Sequence, residues 1–274
     1  MILTPESIVE TASFLRTSGF NQPVVGIVMG TGLGAMADKI ENPISIPYPA
    51  IPNFPEATVE FHKGNLLYGS VGDVKVIAMQ GRFHYYEGYS MQQITFPIRV
   101  MKALGINYLF LSNAAGGLNP SYKKGDLVLL EDHINFLPDN PLRGVSDPAL
   151  GQRFVDMSRP YDMRLIKLLE DTALLQNKMV KKGIYAAVMG PNLETRAEYR
   201  WLRSTGADLV GMSTVPEVIV ANQAGIKCAA ISVVTDECDP DHLQPVNIAE
   251  IIEVAGRSDK ILSDLLVACI KELK

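Results

Sequence analysis

Apolar residues along this 274-residue chain fall into short runs closed by glycine or polar turns, and these alternate with stretches of helical spacing. Thr4-Pro5-Glu6 offers a capping hydroxyl, a proline at the first helical position and an acid in the first turn; Ile8, Ala12 and Leu15 follow at helical spacing, and Gly19 closes the segment. Val24–Met29 is an apolar run of strand length ending at Gly30-Thr31-Gly32-Leu33-Gly34, and Leu33–Ile40 predicts a short helix. The proline-rich stretch Pro43–Pro55 predicts irregular structure. Asn65–Val71 and Val74–Gln80 flank Gly72-Asp73 and read as a hairpin. Ser90 caps a helix toward Ala103 that stops at Gly105, with Pro97 predicting a late start or a kink. Further strands are expected at Tyr108–Leu111, Asp126–Asn135, Gly183–Met189, Asp208–Met212 and Lys227–Val234. Helices are expected at Tyr161–Gln176, Glu194–Arg203, Pro216–Gln223 and from Asn247 onward, with Phe136–Pro160 a long loop. Such alternation predicts an α/β fold. It is expected as a single domain, residues 1–274, with a twisted mixed, largely parallel β-sheet flanked by helices.

Composition narrows the class. With 47% hydrophobic and 20% charged residues the chain reads as a globular protein. Its net charge of −5 carries no basic block, which argues against a nucleic-acid partner. Cys228, Cys238 and Cys269 contain no CxxC pair, so reduced thiols in a cytosolic protein are expected, and neither a disulfide framework nor a zinc site. His62, His84, His133 and His242 show no HExxH spacing, and no metal site is expected. No apolar run approaches the roughly 20 residues of a membrane span, and the first residues lack the pattern of a signal peptide.

Candidate chemistry concentrates where apolar runs end. Met79–Tyr89 crowds Arg82, His84, Tyr86 and Glu87 between two glycines. One reading is a polar turn with a structural Arg–Glu pair. The other is an anion site, in which Arg82 supplies a planar fork, His84 a proton and a tyrosine a flat face for a sugar. Gly30–Ala35 fits a loose GxGxx(G/A) pattern, but a dinucleotide site needs an acid about 20 residues on, and Tyr48-Pro49-Ala50-Ile51-Pro52 offers none. What remains is a phosphate cradle of backbone N–H groups with the Thr31 hydroxyl. Ser112–Gly117 lacks bulky side chains and lets the backbone approach a ligand. Glu194 stands at an expected helix start, Ser213-Thr214 precede Pro216, and Thr235-Asp236-Glu237 close another strand. Open α/β sheets place ligands at such strand ends.

Gly-Arg-Phe-His-Tyr-Tyr-Glu-Gly-Tyr at 81–89, Asn-Ala-Ala-Gly-Gly-Leu-Asn at 113–119 and Gly-Met-Ser-Thr-Val-Pro-Glu at 211–217 together resemble the trimeric purine nucleoside phosphorylases. The similarity runs from Gly30 past Thr235. It implies a single α/β domain around a twisted mixed sheet, active sites near subunit interfaces of a homotrimer, and no metal or organic cofactor, inorganic phosphate being a co-substrate. By matching motif it implies phosphate contacts from Thr31, Arg82, His84, the Ala114 N–H, Ser213 and His62. Tyr86 and Met212 would line the ribose. Ala115, Gly116, Leu193, Glu194, Val210, Thr235 and Asp236 would surround the purine, with His84, Glu194 and Asp236 in catalytic roles.

Departures from the family pattern bear on the base. Asp236 replaces an asparagine, Glu237 stands where lysine is common, Leu193 replaces an aromatic residue, and Asn247-Ile248-Ala249 replaces a histidine expected near the ribose 5′-hydroxyl. The related methylthioadenosine phosphorylases use aspartate at the base and apolar residues at the 5′ end. The resemblance therefore implies phosphorolysis of inosine and guanosine in purine salvage, with adenosine or methylthioadenosine as the alternative substrates. An oxidoreductase would lack its acidic ribose ligand. A nucleoside-binding protein without turnover would have no use for Arg82, His84 and Ser213.

Overall fold

The computed structural model describes residues 3–30, 34–58 and 63–273. Its strands are β1 (Val25–Met29), β2 (Glu41–Pro47), β3 (Asn65–Val71), β4 (Val74–Gln80), β5 (Tyr108–Gly117), β6 (Leu127–Asn135), β7 (Lys181–Ala187), β8 (Leu209–Gly211) and β9 (Lys227–Glu237). Its helices are α1 (Pro5–Thr17), α2 (Met91–Leu104), α3 (Met163–Leu175), α4 (Arg196–Ser204), α5 (Val215–Gln223) and α6 (Ile248–Lys271). Local chemistry sets many of these bounds. The Ser7 N–H donates to the Thr4 hydroxyl at 3.2 Å and starts α1, whose Ile8, Ala12 and Leu15 are buried. Gly72, at φ 58°, turns the β3–β4 hairpin at the expected residues. β1 is buried along its whole length because parallel neighbours, β4 and β5, flank it on both edges.

Several elements differ from the sequence reading. Pro43–Pro55 is not irregular throughout: residues 41–47 form β2, followed by a 3₁₀ turn at Tyr48–Ala50. β2 pairs only with β3 and is exposed along most of its length, so it shows no apolar alternation, and an edge strand tolerates Pro43. α2 does not start late. Ser90 and Gln93 exchange side-chain bonds to each other's backbone N–H at 3.3 and 2.9 Å, which fixes its start at Met91, and the helix runs through Pro97. α3 starts at Met163, β7 runs from Lys181 to Ala187 and α4 starts at Arg196, each about two residues from the expected bound. Ser112–Gly117 and Thr235–Glu237 are strand, because β5 and β9 continue to pair with each other there.

The sheet runs in the order β2-β3-β4-β1-β5-β8-β7-β6-β9, and β9 pairs back onto β5. β5, β8, β7, β6 and β9 thereby close into a ring, a feature that the strand alternation did not reveal. Parallel pairs (β1–β4, β1–β5, β5–β9, β6–β7, β7–β8) mix with antiparallel ones, as expected of a mixed sheet. α1, α2 and α5 pack in succession, and α3 and α6 pack together against β9. No helix among the described residues is long and apolar enough to cross a membrane. The ends of β4, β5, β8 and β9 converge on one cavity of about 320 Å³.

Candidate active site

Arg82 follows β4 and is 2% exposed. Its Nε donates to Glu217 Oε1 of α5 at 3.0 Å, and its Nη1 donates to the Ser112 carbonyl at 2.6 Å and to Ser213 Oγ at 3.4 Å. The structural Arg–Glu pair considered from sequence therefore exists, but the carboxylate comes from Glu217. Glu87 pairs with His84 instead, with Nδ1 and Oε1 2.9 Å apart. The His84 ring stacks on Tyr86 with centroids 4.6 Å apart. Burial pushes the His84 pKa below the usual histidine value, against the opposing pull of its bond to Glu87. The ring is neutral at neutral pH, and a proton on Nδ1 facing Glu87 makes Nε2 the accepting nitrogen. Burial alone would raise the Glu87 carboxyl, but bonds from His84 and Thr58 hold it below its usual value.

Ser213 is set by a strained backbone. Thr214 adopts φ 69° and ψ −51°, and the Val215 N–H donates to the Ser213 carbonyl at 2.7 Å, which makes a γ-turn. A β-branched residue in this region is unfavourable and needs surrounding contacts to hold it. Asn113 provides them: its Nδ2 donates to Thr214 Oγ1 at 2.9 Å, while its Oδ1 accepts from Ser232 Oγ at 2.7 Å. The Ser213 N–H also donates to the Tyr185 hydroxyl at 3.3 Å. That hydroxyl fits because residue 211 is glycine; a Cβ there would lie 2.2 Å from it.

A bulge shapes another wall. In the β5–β9 ladder Ala115 pairs with Val234 and Gly116 with Asp236, leaving Thr235 as the extra residue. Thr235 Oγ1 then donates to Asp236 Oδ1 at 2.9 Å, and Cys238 Sγ donates to Asp236 Oδ2 at 3.2 Å. Glu194 precedes α4, whose cap is the neighbouring Thr195. Burial pushes the Glu194 carboxyl above its usual range; a hydrogen bond from Tyr199 opposes this, and the charges of Asp236 and Glu198 add to it.

Of the residues singled out in the sequence, Arg82, His84 and Tyr86 line the cavity from the β4 end, and Ala114, Ala115 and Gly116 from β5. Val210, Met212 and Ser213 line it around β8, Leu193 and Glu194 ahead of α4, and Thr235 and Asp236 from β9. Thr31 and His62 lie outside the described residues.

A model of the phosphorylase superfamily matches residues 24–271. Purine nucleoside phosphorylase 1 of Bacillus subtilis (strain 168) is 49% identical over 252 residues, covering 92% of this chain and 93% of the relative. The chain belongs to the purine nucleoside phosphorylases. Among solved purine nucleoside phosphorylases, isoform 2 from Schistosoma mansoni, in complex with cytosine and ribose-1-phosphate, superposes with a TM-score of 0.95 at 40% identity, covering 100% of this chain and 99% of that one. The Schistosoma mansoni enzyme in complex with inosine, and again with adenosine, gives a TM-score of 0.93 at 40% identity over 99% of this chain and 98% of the other.

In this purine nucleoside phosphorylase the cavity also contains residues that sequence reasoning did not single out. Tyr199 and Cys238 line it, as do Ile248, Ile251 and Ile252 from the first turns of α6, and Asn113, which the sequence offered only as part of the Ser112–Gly117 cluster, lines it too. Tyr199 and the isoleucines lie within stretches expected only as helices, with nothing local to mark them as cavity residues. Cys238 read only as one of three scattered thiols. The one usable signal was Asn247-Ile248-Ala249, where the departure from the family histidine pointed to this wall.

Proposed function

We propose that this chain catalyses the phosphorolysis of purine nucleosides to free base and ribose 1-phosphate, preferring inosine and guanosine and cleaving adenosine measurably. The observation that carries the reading is one cavity wall with Arg82, His84 and Ser213 and another with Glu194 and Asp236. In the proposed reaction a phosphate oxygen attacks C1′, the C1′–N9 bond breaks with its electron pair moving to the purine, and N7 takes a proton. Positive charge develops on the ribose and negative charge on the base. Phosphate held by Arg82, His84, Ser213 and the Ala114 N–H, with Thr31 and His62 as further family-position contacts, would stabilise the first and capture C1′. Tyr86 and Met212 would flank the ribose, and Ala115, Gly116, Leu193, Val210 and Thr235 the base. Ionised Glu194 would accept from the N1–H of a 6-oxopurine; Asp236 would serve N7 of a 6-oxopurine as an acid, where general-acid help is worth typically 10²–10⁴-fold, or as a carboxylate would accept from the amino group of adenosine.

The reading includes phosphate as co-substrate, no metal or organic cofactor, a homotrimer, and a cytosolic role in purine salvage. Its test is release of free base from inosine, guanosine, adenosine and methylthioadenosine, with and without phosphate, before and after dialysis against a chelator. Strict phosphate dependence that survives chelation is expected; comparable release without phosphate would make the protein a hydrolase. One observation favours a second substrate reading: Ile248, Ile251 and Ile252 give the cavity an apolar wall where the family resemblance places the ribose 5′ end. A methylthio group suits such a wall, and a higher kcat/KM for methylthioadenosine than for inosine would establish that alternative.

A further inference from the structure

Asp236 does not stand alone in the cavity wall. Both of its oxygens already accept hydrogen bonds, Oδ1 from Thr235 at 2.9 Å and Oδ2 from the Cys238 thiol at 3.2 Å. Cys238 is 1% exposed and lines the same cavity. It is wedged against β5, since a Cβ on Gly116 would lie 2.5 Å from its sulfur. Tyr199 and Glu194 line the same cavity. Burial, with Asp236 and Glu194 close by, pushes the thiol well above its usual range, so it keeps its proton and remains a donor.

We propose that Cys238 is a positioning residue for base selectivity, holding Asp236 as a hydrogen-bond acceptor toward the purine 6-position and so admitting 6-aminopurine nucleosides. The inference rests on the proposed contact of Asp236 with the base. A carboxylate whose two oxygens are each held by a donor keeps its remaining acceptor lone pairs in a fixed direction. The amino group of adenosine can donate to it; the O6 of inosine cannot. Without the thiol, Asp236 can turn away from the 6-position, and adenosine loses its acceptor.

The experiment measures kcat/KM for adenosine and inosine at one pH in the wild type and in Cys238→Ala, Cys238→Val, Cys238→Ser and Asp236→Asn. Loss of a single hydrogen bond to the carboxylate should lower the adenosine-to-inosine ratio about fivefold in Cys238→Ala and Cys238→Val. Cys238→Ser, which restores a donor, should hold the ratio within about twofold of wild type. Cys238→Val fills the space, so it reports even where the alanine variant does not fold. A fall in the ratio for Asp236→Asn with none for Cys238→Ala and Cys238→Val overturns the inference while leaving Asp236 as a base contact. An equal fall in Cys238→Ser and Cys238→Ala also overturns it, because the cause is then packing. No change in any variant removes Asp236 from the base as well.

Discussion

The Arg82 guanidinium is divided between Glu217 and the cavity, so its removal has two separable effects. Arg82→Ala is expected to raise the phosphate KM about 10- to 100-fold through loss of charge-assisted contacts. It also leaves Glu217, 2% exposed, buried without its cation, which should lower stability by about 3–5 kcal/mol. Phosphate saturation curves and urea unfolding read the two effects independently, and an unchanged phosphate KM would remove Arg82 from the site. Glu194 gives a second residue-scale expectation. Burial holds its carboxyl above the usual value, so the folded protein keeps the proton more tightly than the unfolded chain. Its contribution to stability is present below about pH 4.3 and is lost as pH rises through the folded pKa. Across that window Glu194 changes from a donor for adenine N1 to an acceptor for the N1–H of a 6-oxopurine. The adenosine-to-inosine ratio of kcat/KM should therefore fall as pH rises, and Glu194→Gln should flatten the profile. A flat wild-type profile would show that Glu194 does not read N1.

At the scale of elements, the γ-turn between β8 and α5 shows how the frame orients a single hydroxyl. Thr214 holds an unfavourable φ with its side chain tied down by Asn113 of β5, itself held by Ser232 of β9. Asn113→Ala should cost about 1–3 kcal/mol and raise the phosphate KM, since Ser213 would lose its fixed position. A shift in thermal midpoint with no change in phosphate KM would confine Asn113 to a structural role. The turn also marks the limits of the sequence reading. Capping residues such as Thr4 and Ser90, and the glycine turn between β3 and β4, act over a few positions, so those bounds were legible. β2 was not, because an exposed edge strand carries no apolar alternation. The strand character of Ser112–Gly117 was hidden too: small residues suggest a turn until distant β9 arrives to pair with them. The polar clusters at strand ends were legible as candidate chemistry. Cys238 and Tyr199 were not: Cys238 is seated in the cavity wall by its packing against distant Gly116 of β5, and Tyr199 stands within an ordinary helical stretch.

For the whole molecule, assembly is the first open expectation. Phe154, on the long loop between β6 and α3, is 87% exposed in the single chain. Light scattering at assay concentration is expected to give three times the 30.0 kDa chain mass; an active monomer would overturn the trimer. Nothing local in the sequence announces ring closure by β5 and β9, whose pairing joins Tyr108 to Lys227 across about 120 residues. That closure has a kinetic consequence. Contacts so far apart in the chain form late in folding, after local hairpins and helices have appeared. The bulge that presents Asp236 belongs to this ladder and cannot exist before it. During refolding from urea, far-ultraviolet circular dichroism should recover ahead of nucleoside cleavage, and the interval between them would time the zipping of β9 onto β5. Simultaneous recovery of both signals would mean that the ring forms as early as its parts. Otherwise a nascent chain of this protein can look folded to a spectrometer while it is still blind to its substrate.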